Sequence, residues 1–297
     1  MMLVDSLAGL PWLLLDDALK SWLREDVGRG DQTTLGLGVQ SWSEGVWLAK
    51  APGIIAGLPV AARLFYWIDP RVEFLPQVPE GGAVTAGQVV ALVQGPTTAL
   101  LMGERVALNI VMRLSGIATL TRQYVERLQG TGVQVVDTRK TTPGLRLLEK
   151  YAIRVGGGMN HRLGLDDAVL VKENHIAAAG GIRQAVAAIR QHTPHPLGLE
   201  IEVEHLDQIP EALACEPQRI LLDNMTPEQL QQAVQLIRQS HPHVKIEASG
   251  NVTLDNLPAI AATGVDYIAT SAPITQARWL DLSMRIKGTI RPSENLA

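Results

Sequence analysis

Cationic side chains recur directly after short apolar runs in the second half of the chain. Arg139 and Lys140 end VQVVDTRK, His161 and Arg162 follow the glycine run of VGGGMNHR, and Lys172 ends AVLVK. Arginine offers a planar fork that matches a carboxylate, whereas lysine offers a compact charge that suits phosphate. Clustered cations repel each other unless an anion joins them, so the pattern predicts a site for anionic ligands. Each pair taken alone is equally typical of a solvated surface turn.

Lys172 also permits a different interpretation, a lysine that forms a Schiff base in an aldolase-type barrel. That chemistry needs a desolvated amine, which the sequence neither shows nor excludes. The neighbouring run GGG lacks the Gly-x-Gly-x-x-Gly spacing after a strand, so it does not predict a dinucleotide site.

Two carboxylates end consecutive apolar runs, Glu202 in LGLEIEVE and Asp223 in RILLDN. Carboxylate oxygens hold divalent cations such as Mg²⁺, directly or through water, and accept hydrogen bonds from sugar hydroxyls. Glu200, Glu202 and Glu204 alternate along one strand and share one of its sides. We expect at least one of the three to serve structure, and Glu202 is the central candidate for a functional role.

Small residues end the last two apolar runs, EASGN and DYIATSA. Their backbone N–H groups and a following helix N-terminus suit a phosphate, and barrel enzymes commonly bind phosphate at this place. The candidate phosphate-binding residues are Ser249, Gly250, Asn251, Thr270, Ser271 and Ala272.

The apolar runs that carry these groups recur between Val133 and Ser271, separated by helix-like segments. Such alternation predicts parallel strands with crossover helices, and near-continuous apolar strands indicate a sheet covered on both faces. An α/β barrel is the simplest closure of such a sheet. Reacting groups in barrels lie at the carboxyl ends of the strands, where the predicted cations and carboxylates converge.

The first third of the chain differs, with short strands broken by Gly and Pro from Gly45 to about Leu101. It predicts a separate, largely β module with helices at its edge. The phrase VPEGGAVTAGQVVALVQG resembles a lipoyl or biotin carrier, although the nearest lysine, Lys50, lies in an apolar strand-like run rather than at a hairpin tip.

A helix is predicted from Thr98 to Leu128, where apolar residues recur at spacings of three and four. Arg105 and Asn109 share one face of it, which by itself is most typical of a solvated surface. Gly103 and Gly116 weaken a helix, so we expect close packing or a kink at these positions.

Composition restricts the classes of function. The chain has 297 residues, a formal net charge of −4 and one cysteine, Cys215. This balance argues against nucleic-acid binding, and the single cysteine excludes an intrachain disulfide and indicates a reducing compartment. The apolar start of the chain lacks a basic leader and is interrupted by Asp16, Asp17 and Lys20, so we expect an amphipathic helix rather than a signal peptide. We expect a cytoplasmic protein without membrane spans.

Several phrases occur in the order found in the quinolinate phosphoribosyltransferases, and the chain resembles that family over nearly its full length. The phrases are EDVGRGDQTT, GERVALN, DTRKTTPGLR, KYAIRVGGGMNHR, VLVKENHI, LEIEVE, LLDNM, EASGN and GVDYIATSAPIT. The resemblance implies a partial, seven-stranded α/β barrel plus an N-terminal open α/β sandwich. The sandwich would comprise residues 1–115, joined by the segment 274–297, and the catalytic barrel residues 116–273.

The resemblance also implies an activity and residue roles. Phosphoribosyl pyrophosphate and quinolinate would react with Mg²⁺ present to give nicotinate mononucleotide, pyrophosphate and CO₂. Catalysis would depend on Lys140, Lys172, Glu202 and Asp223, with Glu202 and Asp223 holding ribose hydroxyls or the metal. The implied substrate-binding residues are Arg105, Thr138, Arg139, Lys140, His161, Arg162, Lys172, Glu202, Asp223, Ser249, Gly250, Asn251, Thr270, Ser271 and Ala272.

Arg105 would complete the site of a neighbouring subunit in a homodimer, and further assembly into a hexamer stays open. The sequence is also compatible with other hypotheses. The chain could be a molybdenum-transport-associated relative, a lyase using Lys172, or a carrier or anion-binding module without turnover.

Overall fold

The computed structural model describes residues 9–291 of the chain. Residues 1–8 and 292–297, which the predicted first domain includes, lie outside the described residues. The fold divides into two compact units. Unit 1 comprises the described residues up to Leu120, then Leu147–Gly156, and the chain from Gln276; unit 2 comprises Thr121–Arg146 and Gly157–Thr275.

The elements are as follows. The helices in chain order are α1 (Trp12–Val27), α2 (Gln32–Leu37), α3 (Leu58–Ile68), α4 (Thr97–Arg127), α5 (Arg146–Gly156), α6 (Glu173–Ala179), α7 (Ile182–His192), α8 (Ile209–Leu213), α9 (Pro227–Ser240), α10 (Leu257–Ala261) and α11 (Ala272–Thr275), with a 3-10 turn at Leu206–Gln208. The strands are β1 (Trp42–Ala49), β2 (Gly53–Ile54), β3 (Glu73–Pro76), β4 (Ala83–Val84), β5 (Val89–Pro96), β6 (Gln134–Val136), β7 (Val169–Val171), β8 (Leu199–Val203), β9 (Arg219–Asp223), β10 (Lys245–Ser249), β11 (Tyr267–Ala269) and β12 (Leu282–Ile290). Among the helices so described, none combines the length and the apolar character that crossing a bilayer demands.

Unit 1 is built on a four-stranded antiparallel sheet in the order β12-β1-β5-β3, with a separate pair β2-β4. Its aromatic core includes Trp47, which is fully buried and packs edge-on against Phe74 with ring centroids 5.3 Å apart. Helix α1 is amphipathic as expected, because it buries Leu15, Leu19 and Leu23 on one face.

Two glycines of α4 allow close packing inside unit 1. A Cβ atom on Gly103 would lie 2.6 Å from the ring of Phe65, and one on Gly116 would lie 2.0 Å from the carbonyl oxygen of Arg278. No real side chain tolerates such distances, so the expectation of close packing at both positions is confirmed.

Unit 1 also includes Leu147–Gly156, which the predicted division at residue 116 assigns to the barrel. The reason lies in buried polar contacts made by α5. Arg113 donates to Glu149 through Nη2 at 2.8 Å, and the Tyr151 hydroxyl donates to Glu80 at 2.8 Å. Burial raises the pKa of Glu80, against the opposing effect of its hydrogen bonds.

Unit 2 contains a six-stranded parallel sheet in the order β6-β11-β10-β9-β8-β7. Strand β11, the last of unit 2 along the chain, pairs with β6, the first. The predicted α/β class with parallel strands is confirmed. The seventh strand implied by the resemblance is reduced to one parallel bridge, Val136↔Met159. Within residues 9–291, no ladder joins this bridge to β7, and the barrel is therefore partial.

Candidate active site

Every sequence-predicted site residue of unit 2 lies at or just beyond the carboxyl end of a strand. Thr138, Arg139 and Lys140 follow β6, His161 and Arg162 follow the Met159 bridge, Lys172 follows β7, Glu202 lies near the end of β8, Asp223 ends β9, Ser249 ends β10 with Gly250 and Asn251 beyond it, and Thr270, Ser271 and Ala272 follow β11. Because parallel strands share one edge, the sheet presents these groups on the same side of unit 2.

Lys172 and Glu202 form an ion pair, with Nζ and Oε2 3.1 Å apart. The register explains it: Leu170 pairs with Glu200 across β7 and β8, so the next inward positions are Lys172 and Glu202. The lysine side chain is 42% exposed and the glutamate 7%. Burial raises the pKa of Glu202 to about 7, and the positive charge of Lys172 opposes that rise.

Arg139 and Arg162 are close enough to repel each other. The pKa of Arg162 is lowered, first by burial and then by the charge of Arg139. Arg162 donates through Nη1 to the carbonyl of Ala168 at 3.0 Å, which holds its guanidinium group against the loop that precedes β7. Lys140 is exposed, and its backbone N–H donates to Thr138 Oγ1 at 3.0 Å. Arg139 and Arg162, by contrast, are half-buried.

The ring of His161 has protein partners at both nitrogens. The backbone N–H of Arg162 donates to Nδ1 at 2.8 Å, while Nε2 lies 3.0 Å from Glu200 Oε2 and 3.7 Å from Glu247 Oε1. Since Nδ1 accepts a hydrogen bond, the hydrogen-bond network assigns the ring proton to Nε2, which donates to Glu200. Asp137 supports the same segment by accepting from the His161 backbone N–H at 2.8 Å.

His161, Glu200 and Glu247 offer ligand atoms within 4.8 Å of one another, a donor set that could hold a metal. A metal on Nε2 would need the ring proton on Nδ1, where the N–H of Arg162 already points. The cluster is therefore better described as a buried hydrogen-bond network. Burial and the negative charge of Glu200 hold the pKa of Glu247 well above its ordinary value, against the effect of Arg219.

Asp223 is held by its neighbour in sequence. Asn224 donates from Nδ2 to Asp223 Oδ2 at 2.7 Å, and it accepts from Asn251 Nδ2 at 3.2 Å through Oδ1. The negative charge of Asp223 also contributes to the raised pKa of Glu202. The structure thus brings together the two carboxylates that sequence analysis selected, together with the loop after β10.

The two phosphate-binding segments differ in how their backbone is engaged. Gly250 and Asn251 both have positive φ, 94° and 49°, which turns the chain sharply after β10. After β11, the N–H of Thr270 donates to Val136 O at 3.0 Å and that of Ala272 to Thr270 Oγ1 at 3.2 Å. These two N–H groups thus have partners within the chain, one at the end of the sheet and one in the turn that follows it. The helix there, α11, has only four residues.

Arg105 lies in unit 1, on helix α4, and is exposed. Its charge opposes the rise that burial causes in the pKa of Glu104.

Two family models cover most of the chain. The model for the N-terminal domain of quinolinate phosphoribosyl transferase matches residues 31–115, and the model for the C-terminal domain matches residues 117–285. The chain belongs to this family. The resemblance inferred from the motifs is therefore confirmed.

Curated relatives and solved structures agree with the family models. A probable nicotinate-nucleotide pyrophosphorylase [carboxylating] of Synechocystis is 58% identical over 276 residues, covering 93% of this chain and 94% of the relative. The human nicotinate-nucleotide pyrophosphorylase [carboxylating] is 39% identical over 279 residues and covers 93% of each chain. The crystal structure of NadC from Streptococcus pyogenes matches with a TM-score of 0.88 and 41% identity, covering 94% of this chain and 98% of that one.

Several polar residues around the candidate active site were not predicted from the sequence. Asp137 and Glu247 lie inside apolar strand phrases, and Asn224 is a lone amide after a strand. A signal existed only for Asp137 and Glu247, because an acid in or directly after an apolar run that forms a buried strand needs a partner. Of the alternating glutamates, Glu200 serves the buried network, whereas Glu204 lies beyond β8 and is exposed.

Proposed function

We propose that the chain transfers the phosphoribosyl group of phosphoribosyl pyrophosphate to quinolinate with decarboxylation, giving nicotinate mononucleotide, pyrophosphate and CO₂. This is a pentosyl transfer in NAD biosynthesis. The observation that carries the proposal is the 58% identity over 93% of the chain to a relative named for this activity. The charges at the carboxyl edge of the barrel support it, because both substrates are anions.

The residues that would bind quinolinate are Arg139 after β6, His161 and Arg162 after the Met159 bridge, and Lys172 after β7. Arg139 and Arg162 repel each other in the free protein, so a dicarboxylate between them would relieve that repulsion. Rejection of monocarboxylates follows, because an unfilled cationic position would leave a charge unpaired. Lys140, which is exposed beside this pair, would contact the phosphates of the second substrate.

Glu202 and Asp223 would hold ribose hydroxyls or Mg²⁺, directly or through water. Both offer carboxylate oxygens, the donors that a hard cation prefers, and the Asn224 hydrogen bond holds Asp223 in place. The residues present therefore fit Mg²⁺, which when bound would offset charge on the pyrophosphate leaving group. Ser249, Gly250 and Asn251, with Thr270, Ser271 and Ala272, would surround the 5′-phosphate.

The reaction follows from where the chain places charge. As the bond from ribose C1 to pyrophosphate breaks, its electron pair leaves with pyrophosphate, and Lys140 stabilises the added negative charge. Glu202 and Asp223 stabilise the positive charge that develops on the ribose. The pyridine nitrogen of quinolinate then donates its lone pair to C1. The resulting cationic ring accepts the electrons of the adjacent carbon–carboxylate bond, CO₂ leaves, and the ring carbon takes a proton from solvent.

The lyase hypothesis receives less support from the geometry. A Schiff-base lysine must be desolvated and neutral, whereas Lys172 is 42% exposed and ion-paired with Glu202 at 3.1 Å. The carrier hypothesis rests on the phrase around β4 and β5. The nearby lysine, Lys50, directly follows β1, and its backbone N–H donates to Asp281 O at 2.8 Å.

A homodimer is part of the proposal, in which Arg105 of each chain completes the quinolinate site of its partner. The exposed position of Arg105 is compatible with that role. We also propose a cytoplasmic location, since the substrates are small soluble anions.

The decisive experiment measures CO₂ released from carboxyl-labelled quinolinate by the purified chain. Release that requires both phosphoribosyl pyrophosphate and Mg²⁺ would support the proposal. A folded protein that releases none would refute it and favour the transport-associated relative. Borohydride trapping of a substrate on Lys172 would instead favour the lyase, and a mass shift on a lysine of the isolated protein would favour the carrier.

A further inference from the structure

The carboxyl ends of β9 and β10 are joined by one side chain, that of Asn224. Its Nδ2 donates to Asp223 Oδ2 at 2.7 Å, and its Oδ1 accepts from Asn251 Nδ2 at 3.2 Å. Its backbone N–H donates to Ser249 O at 2.9 Å, which extends the ladder between the two strands. Asn224 therefore contacts both the carboxylate proposed for the ribose and the loop proposed for the 5′-phosphate.

The backbone at this junction is specialised for the contact. Asn224 has φ 54° and Asn251 φ 49°, in the left-handed region that only Gly, Asn and Asp enter at low cost. Gly250 lies against Asn224 so closely that a Cβ atom there would be 2.1 Å from Asn224 Oδ1 and 2.8 Å from its backbone nitrogen. A glycine at 250 is thus required for the amide to reach both partners.

We propose that Asn224 is a positioning residue that sets the distance between the ribose-binding carboxylate Asp223 and the phosphate loop after β10. Both ends of one pentose 5-phosphate must be held at once, so the spacing of the two half-sites determines how well that substrate binds. The residues proposed for the dicarboxylate follow other strands, among them β6 and β7. The inference rests on the proposed function, because it takes a pentose 5-phosphate as the shared ligand.

Asn224→Gly is the direct test, because glycine keeps the left-handed backbone and removes only the amide. Calorimetric titration of the purified full-length chain with ribose 5-phosphate and Mg²⁺ should show affinity about tenfold weaker than wild type, the usual effect of losing a hydrogen bond to a charged group. Quinolinate affinity should change less than about twofold. In turnover assays the KM for phosphoribosyl pyrophosphate should rise by a similar factor, with a smaller change in kcat.

Three further variants distinguish the loss of the Asn224 contacts from a general effect of backbone change. Glu216→Gly changes another exposed residue with positive φ, 50°, ahead of β9, and should bind ribose 5-phosphate as wild type does. Gly250→Ala keeps the Asn224 amide but displaces it, so it should weaken ribose 5-phosphate as Asn224→Gly does. Gly264→Ala introduces the same strain, at φ 90°, where the nearest atom is 3.4 Å away, and should leave that affinity unchanged.

The inference is overturned if Asn224→Gly binds ribose 5-phosphate within about twofold of wild type, or if it loses quinolinate affinity to the same extent. It is also overturned if Gly264→Ala weakens ribose 5-phosphate as much as Gly250→Ala. A wild-type chain that neither binds ribose 5-phosphate nor releases CO₂ would refute the proposed function as well. A working wild type with an unaffected Asn224→Gly variant refutes the inference alone.

Discussion

The assignment of the His161 ring proton to Nε2 leads to opposite expectations for two conservative substitutions. The amide oxygen of asparagine can replace Nδ1 as the acceptor for the Arg162 N–H, whereas the amide NH₂ of glutamine can replace Nε2 as the donor to Glu200. His161→Asn therefore loses the bond to a buried carboxylate, and His161→Gln loses a bond to a backbone amide.

The difference in cost follows from the burial of Glu200, which is 2% exposed. Losing a hydrogen bond to a buried charged group costs about 2–3 kcal/mol, and losing one to a neutral group about 1 kcal/mol. Arg219 lies 3.8 Å from the same carboxylate oxygen and compensates only in part. We expect His161→Asn to lower the free energy of unfolding by about 1–2 kcal/mol more than His161→Gln.

Urea unfolding followed by circular dichroism measures the difference. Tryptophan fluorescence serves as a control, because all six tryptophans lie in unit 1 and report on that unit. Nitrogen-15 spectra of histidine-labelled protein at about pH 8 should show His161 as the Nε2–H tautomer. The reasoning fails if glutamine costs as much as asparagine, or if the spectrum places the proton on Nδ1.

Three further predictions concern the shared site and the stability of unit 1. Arg105→Ala and Lys172→Ala should each reduce turnover at least about a hundredfold, and heterodimers of the two should regain up to about half of wild-type activity, because one of their two sites is intact; no recovery in verified heterodimers would contradict a shared site. Tyr151→Phe should lower the free energy of unfolding by about 1.5–3 kcal/mol, because Glu80 loses a buried donor; a change below about 0.5 kcal/mol in urea unfolding would exclude this. A hydrogen bond from Arg63 lowers the pKa of Asp16 to about 2. The stabilisation of the folded chain by ionised Asp16 is therefore complete above about pH 4 and is lost as the pH falls through 2. Asp16→Asn should remove about 1 kcal/mol at neutral pH and clearly less near pH 2, and equal losses at both pH values would refute the assignment.

The positions of the site residues were predictable because of the barrel's regularity. Apolar runs identified six strands, and the polar residues chosen at the ends of the runs fell at the carboxyl edge, as Arg139, Lys172 and Asp223 do. Strand period also placed Glu200 and Glu202 on the same side of β8. These features depend on local spacing, which a single sequence contains.

Features that depend on contacts between distant segments were not predictable. Nothing in the sequence relates Asn224 to Asn251, which are 27 residues apart and meet only because β9 and β10 are neighbours. The membership of α5 in unit 1 likewise depends on the partners of Glu149 and Tyr151, which come from helix α4 and the segment between β3 and β4. The partner of the Thr270 amide was likewise not predictable, because its acceptor, Val136 O, lies on another strand.

The ion pair between Lys172 and Glu202 has a consequence for how the two substrates would bind. The carboxylate of Glu202 has two oxygens, and one of them, Oε2, lies 3.1 Å from Lys172 Nζ. If these oxygens also accept ribose hydroxyls or coordinate Mg²⁺, Glu202 neutralises the charge of Lys172 less completely. Filling the ribose half of the site would draw Glu202 away and leave the positive charge of Lys172 for the dicarboxylate. By reciprocity, a dicarboxylate that engages Lys172 would release Glu202 for the ribose. One ion pair can thus couple the two half-sites without any movement of the barrel, since only the partner of a single ammonium group changes.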